Sequence, residues 1–239
     1  MMRPPLRTLA FVFVGLGLFG CKKKPDGVPL KLTLAPEQSG QARIRTELIE
    51  DGDAKPVVDM RLPWKVLAQT GDGPASLRLG PPTFPAATTP PPWPAGSTAL
   101  VQLDALDHDS RWQTEVPDDA PYGAKVILEQ LLTVRYSAGI GIVALPEKPI
   151  RVGDSWSVED PPAGGVHTHR TSRLVSLDGK RARIAVDEES KVDDSPAHEH
   201  IKGELVYALD QPLPVGGWLR IESRLADGHQ RTIAYLYGK

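Results

Sequence analysis

Two histidine pairs are the residues of this chain best spaced for chemistry. His167-Thr168-His169 and His198-Glu199-His200 each put two imidazoles on one face of an extended strand, because strand side chains alternate. If Asp178-Gly179-Lys180 is a three-residue loop, Leu174 faces Ile184 and the even-numbered positions of both flanking strands point inward. His167 and His169 then lie on the outer side with Thr171 and Arg173. In the following strand Ile201, Leu205, Tyr207 and Leu209 form the apolar face, so His198 and His200 point outward beside Lys202 and Glu204. The two pairs share one face, two strands and about 10 Å apart at the usual strand spacing. Imidazoles can reach a shared zinc, copper or nickel ion across that gap, with Glu189 between them as an oxygen ligand. The plainer reading is four solvated histidines on a polar face, since the spacing matches no established metal signature.

Serine chemistry has a weaker claim. Gly153-Asp154-Ser155-Trp156-Ser157 resembles the Gly-Asp-Ser block of one esterase family. That family implies a serine near the start of an α/β domain and an Asp-x-x-His pair near its end. Here the block is mid-chain among strand segments, and Asp227-Gly228-His229 has the wrong spacing. A Gly-x-Ser-x-Gly elbow is also missing. Asp118-Asp119, Asp187-Glu188-Glu189 and Asp193-Asp194 fall in or near expected turns, where solvation explains them, and His108 lies between two aspartates in a loop. The expectation is a protein without enzymatic activity.

Cys21 is the only cysteine, and its setting is specific. Arg3 and Arg7 give a positive start, Leu9 to Leu18 is uncharged and apolar, and Lys22, Lys23 and Lys24 follow the cysteine. The apolar run is too short for a spanning helix, which needs roughly 20 residues, and matches a secretory signal core. Leu18-Phe19-Gly20-Cys21 resembles the lipobox of bacterial lipoproteins. That resemblance implies cleavage after residue 20, attachment of lipid such as palmitate at Cys21, and membrane anchorage outside the cytoplasm. Lys22 is not the aspartate associated with inner-membrane retention, so the resemblance favours the outer membrane, facing the periplasm. An exported domain with no second cysteine must fold on its core alone.

The 24 prolines and 22 glycines indicate many turns and short elements. Residues 80–96 (GPPTFPAATTPPPWPAG) are too proline-rich for a helix or a central strand and read as an extended surface loop. Trp93 there is either a docking motif or, in the favoured reading, a side chain packing on its own domain. The formal charge is −2, and loss of Arg3 and Arg7 makes it more negative. No basic block exists beyond the lysine tether, which excludes a nucleic-acid footprint.

Period-two alternation marks strands at Gln41–Glu50, Trp64–Gln69, Ala75–Leu79, Arg173–Leu177 and Arg181–Asp187, two pairs of which flank Asp-Gly turns. At offsets of 105 to 107 residues Leu67 matches Leu174, Leu77 and Leu79 match Ile184 and Val186, Leu100-Val101 matches Leu205-Val206, and Trp112 matches Trp218. This suggests a weak internal duplication. Between the halves, Pro121 after two aspartates and an apolar stripe from Val126 to Val134 predict one helix from about Pro121 to Arg135.

Leu145 to Trp156 (LPEKPIRVGDSW) resembles a segment of a group of uncharacterised β-rich bacterial secreted proteins and lipoproteins, which implies no activity. In it Gly153-Asp154 makes a turn and Trp156 anchors the next strand. Pro212 to Trp218 reads as a second version of that device.

The expected fold is therefore mainly β: antiparallel curved sheets, as a half-barrel or sandwich in two similar halves, with one central helix. The expected organisation is a signal peptide over 1–20, lipidated cysteine and tether over 21–28, β-rich halves over 29–116 and 143–239, and helix and connector over 117–142. The expected role is an envelope lipoprotein binding an apolar ligand, such as a lipid, or an envelope protein partner, with no cofactor. The alternative is metal binding through His167, His169, His198 and His200.

Overall fold

The computed structural model describes residues 27–69, 74–85, 96–106, 109–119, 143–159 and 165–238. The signal segment, Cys21, Trp93 and the helix expected from Pro121 to Arg135 lie outside these residues. Among those described, eleven strands form one antiparallel sheet: β1 (Ser39–Glu50), β2 (Asp53–Gln69), β3 (Ala75–Leu79), β4 (Thr98–Leu103), β5 (Asp109–Glu115), β6 (Ser155–Glu159), β7 (Val166–Asp178), β8 (Arg181–Val192), β9 (His198–Ala208), β10 (Gly216–Arg224) and β11 (Gln230–Tyr237). Alternation places one face in the core. Ala75, Leu77 and Leu79 of β3, Ala99, Val101 and Leu103 of β4, and Ala182, Ile184 and Val186 of β8 are all buried. The β1–β2 hairpin turns through Asp51-Gly52, both at positive φ (51° and 87°), the backbone demanded by a two-residue turn matched to strand twist.

Strand order is β5-β4-β3-β2-β1-β11-β10-β9-β8-β7-β6. The expectation of two separate sheets is thus corrected to one. β11 pairs with β10 on one side and with β1 on the other, Ile44 facing Tyr237, so the two meanders merge into a single ladder. Among the described residues the sheet stays open, with β5 and β6 as its edges.

The sheet also curls. Leu32 N–H donates to the Ala105 carbonyl just after β4, and the next amide, Thr33, donates to the Leu209 carbonyl just after β9, both at 2.7 Å. Those carbonyls belong to strands six places apart, roughly 29 Å along a flat sheet. Adjacent residues reach both only if this end of the sheet is drawn together. Leu30, Leu32 and Leu34 of the clasp are buried in the single core, as are Val143 and Leu145. Leu145 N–H bonds the Leu106 carbonyl, and Val28 bridges Ile150.

Local devices follow the sequence in part. Leu174 does face Ile184, but the loop is shorter than expected: Asp178 pairs Arg181, and an irregularity between Leu174 and Ser176 absorbs the extra residue. The β2–β3 ladder carries an irregularity at the same place, between Val66 and Ala68, with Val66 facing Leu77. The structural counterpart of Leu174 is therefore Val66 and not Leu67. Residues 151–154 form the expected turn, with the Asp154 N–H on the Arg151 carbonyl and the Asp154 carboxylate accepting the Arg151 N–H. Trp156 is an anchor, half-buried with its indole N–H on the Ala144 carbonyl at 2.7 Å. Trp218 is not: it lies on the outer face, 45% exposed, because the core face of β10 falls to Leu219 and Ile221.

Candidate functional site at the far end of the inner sheet face

The four histidines occupy the outer face, as parity predicts. In register, His169 pairs Glu189 and Glu189 pairs His200, while His167 pairs Lys191 and Lys191 pairs His198. Their side chains diverge. His167 Nε2 approaches Asp193 at 3.1 Å, His169 Nδ1 approaches Glu159 at 3.5 Å, and His200 Nε2 meets Asp187 at 2.9 Å. His198 Nδ1 lies 3.3 Å from the Pro196 carbonyl. Glu189, the intended central oxygen donor, is held by Lys191 at 3.1 Å, and that ammonium keeps its carboxyl below the usual range. Among the described residues no three metal-ligating groups converge. The strand register brings the pairs onto one face, but three imidazoles turn to separate carboxylates and His198 to a backbone carbonyl.

Ser155 is exposed on the outer face of edge strand β6, where its register partner is Arg173. The hydroxyl near His169 belongs to Thr171, at 3.4 Å. Asp227 accepts the His229 backbone N–H and closes the β10–β11 turn.

A more selective arrangement lies on the inner face, at the end away from the clasp. Side chains there form rows running across the strands, each about 7 Å from the next along them. The row nearest the centre includes Trp156, Ser172, Val186, Leu219 and Tyr235, and is mostly apolar. In the following row, Val158, Arg170, Glu188, Ile201 and Ile221 succeed one another in register. Arg170 and Glu188 are 6% and 3% exposed and form an ion pair through Arg170 Nε. Beyond them comes a row with no apolar member: Thr168, Ser190, Glu199, Ser223 and Arg231. Thr168 and Ser190 hydroxyls are 2.9 Å apart, and the Ser223 hydroxyl donates to Glu199 at 3.0 Å. Last come Val166, Val192 and Leu225, exposed by 37%, 38% and 51%.

This end holds an open recess of about 440 Å³, lined in part by Thr168, Glu188, Ser190, Glu199, Ser223 and Leu225. Its volume falls within the range of small-ligand pockets. Deeper in the face, burial pushes the Tyr235 hydroxyl up to about 12 and Tyr237 well above its ordinary 10.0, so both are neutral at physiological pH.

Among these polar residues sequence reasoning singled out only Glu188, as one of three solvated carboxylates near a turn; Asp187, Glu188 and Glu189 lie instead within β8, and strand parity buries Glu188 against Arg170. Their signal was parity: Thr168, Arg170 and Ser172 share the face of Leu174, and Glu188 and Ser190 share that of Ile184. Comparisons of the chain with protein-family models, with curated proteins and with solved structures found no match.

Proposed function

We propose that this protein is a non-enzymatic cell-envelope lipoprotein that holds an apolar ligand on the inner face of a half-barrel. In this reading a lipid at Cys21 anchors it to the outer membrane, facing the periplasm. The observation that carries ligand holding is the contrast between the two ends of the inner face. At the clasped end, Leu30, Leu32 and Leu34 are 7% exposed or less. At the far end, Val166, Val192 and Leu225 stay exposed around a recess rather than closing over one another. Exposed aliphatic groups rimming a concavity favour an apolar visitor.

The test is native mass spectrometry on residues 22–239, exported without the lipid anchor and purified without a metal-affinity tag. An added mass in the lipid range, lost when Val192 is replaced by Asp, supports ligand holding. Bare mass after incubation with a membrane lipid extract overturns it and leaves docking of an envelope protein as the surviving role.

A further inference from the structure

Resting on the reading of this chain as a lipoprotein, we infer that the outer sheet face nearest the clasp is a second membrane contact. It seats Trp218 and Leu236 among the headgroups of an anionic lipid surface, with Arg45, Arg61 and Arg173 on the phosphates. Strand register lays this face out in rows. One row carries Arg173, Glu204, Trp218, Leu236, Arg45 and Asp59 in order from β7 to β2. The row on its clasp side adds Arg183, Arg43 and Arg61. These residues alternate with core positions such as Leu174, Ile184, Leu219 and Ile44, so all point outward. Five arginines thus meet two carboxylates among the described residues. Away from the clasp the next row is balanced, with Asp187 and Glu47 against Lys202 and Arg220. The one after holds Glu159, Glu189 and Glu222 with no lysine or arginine. Positive charge is gathered toward the clasp.

Ion pairing leaves part of that charge unneutralised. Arg43 holds Asp59 through Nε at 3.0 Å and Nη2 at 2.6 Å, and Arg183 meets Glu204 at 2.8 Å. Arg45, Arg61 and Arg173 are exposed, and their side chains make no ion pair among the described residues. Arg43 chiefly, with Arg45 and Arg61 adding to it, holds the Asp59 carboxyl below its usual range, so this carboxylate is charged and already satisfied. An arriving anion therefore meets three unpaired guanidiniums around an indole that is 45% exposed. Indole rings favour the headgroup level of a bilayer, and guanidiniums favour its phosphates. A lipid surface fits better than an acidic protein because of where the chain enters the fold. Val28 bridges Ile150, the turn over 151–154 is tied to Leu174, and Leu174 follows Arg173. Seven residues separate Cys21 from Val28, a reach of at most about 25 Å. A bilayer holding the lipid at Cys21 is thereby kept beside the arginine rows at high effective concentration.

The experiment is co-sedimentation of residues 22–239 with phosphatidylcholine vesicles made with and without phosphatidylglycerol. The expected result is binding about tenfold tighter to the anionic vesicles, a preference that shrinks as salt screens the charges. Arg45→Gln with Arg61→Gln removes most of that preference. Lys191→Gln with Arg224→Gln takes the same charge from the far end of the outer face and leaves the preference in place. All four side chains are exposed, and the lysine tether is common to both variants, so only the position of the lost charge differs. Brominated phosphatidylcholine in the anionic vesicles quenches tryptophan emission of the parent chain, and measurably less in Trp218→Phe. A preference that survives Arg45→Gln with Arg61→Gln, equal loss in both double variants, or undiminished quenching in Trp218→Phe overturns the docking face. Absence of any anionic preference overturns it too and leaves an acidic protein as the partner. None of these outcomes bears on lipidation, which fails separately if palmitate does not label Cys21.

Discussion

Arg170 and Glu188 face each other across the β7–β8 ladder as a buried ion pair, with Val158 beside the one and Ile201 beside the other. Removing one partner leaves a charge in a low-dielectric setting. Glu188→Gln is therefore expected to cost about 3–5 kcal/mol, whereas the double replacement Arg170→Met with Glu188→Leu recovers most of that loss. Urea unfolding midpoints at unchanged slope provide the measurement. Equal losses for the single and double variants would show that the pair is needed as a pair.

Tyr235 and Tyr237 set the alkaline limit. Burial favours their neutral form, so the folded state keeps its protons above pH 10 while the unfolded chain releases them. Stability is fully present below about pH 10 and falls as pH rises toward about 12, because the unfolded state then binds fewer protons than the native one. Absorbance at 295 nm should show these two phenols ionising together with loss of the circular dichroism signal. In Tyr235→Phe the fall should be shallower. Early, independent ionisation of both would contradict their burial.

Two glycines should respond differently to alanine. A Cβ on Gly203 would sit 2.2 Å from the Trp218 carbonyl oxygen, so Gly203→Ala must part β9 from β10 and is expected to cost about 3 kcal/mol. At Gly52 nothing lies within 4 Å, and only the φ of 87° opposes a side chain, which costs about 1 kcal/mol. Thermal unfolding of the two variants checks the order.

The clasp can be tested at Thr33, whose side chain is exposed and whose amide bonds the Leu209 carbonyl. Thr33→Pro deletes that donor without touching the core, and a loss of about 1–3 kcal/mol is expected. Hydrogen exchange should rise at the turns after β4 and after β9 together. A rise at one turn alone would separate the two contacts.

The proposed anchor predicts that cells labelled with tritiated palmitate transfer label to the chain, and that Cys21→Ser abolishes the transfer. Labelling that survives in Cys21→Ser would place the lipid elsewhere.

Local pattern carried far in the sequence, and long-range closure did not. Parity oriented β7, β8 and β9 correctly, since one buried pair such as Leu174 and Ile184 fixes every neighbour. It placed both histidine pairs outward with Glu189 between them, yet rotamer choice among nearby carboxylates lies beyond periodicity. The Asp51-Gly52 turn was legible and overlooked, and with it the full length of β2. The bulge after Leu174 was not legible, because an added residue leaves no compositional mark. The joining of β1 to β11 was hidden for a related reason: nothing local to Ile44 names Tyr237 as its partner.

That last junction sets an order in time. β1 is among the earliest strands to leave a ribosome or a translocation channel, and one of its two edges waits for the final strand of the sheet. Until Tyr237 emerges, β1–β5 and β6–β10 are two meanders with unpaired edges, exposed to strand addition by neighbouring chains. Completion therefore waits for β11 and depends on contacts of large sequence separation, which makes it slow. A sheet so built has more need of an escort before β11 arrives than after.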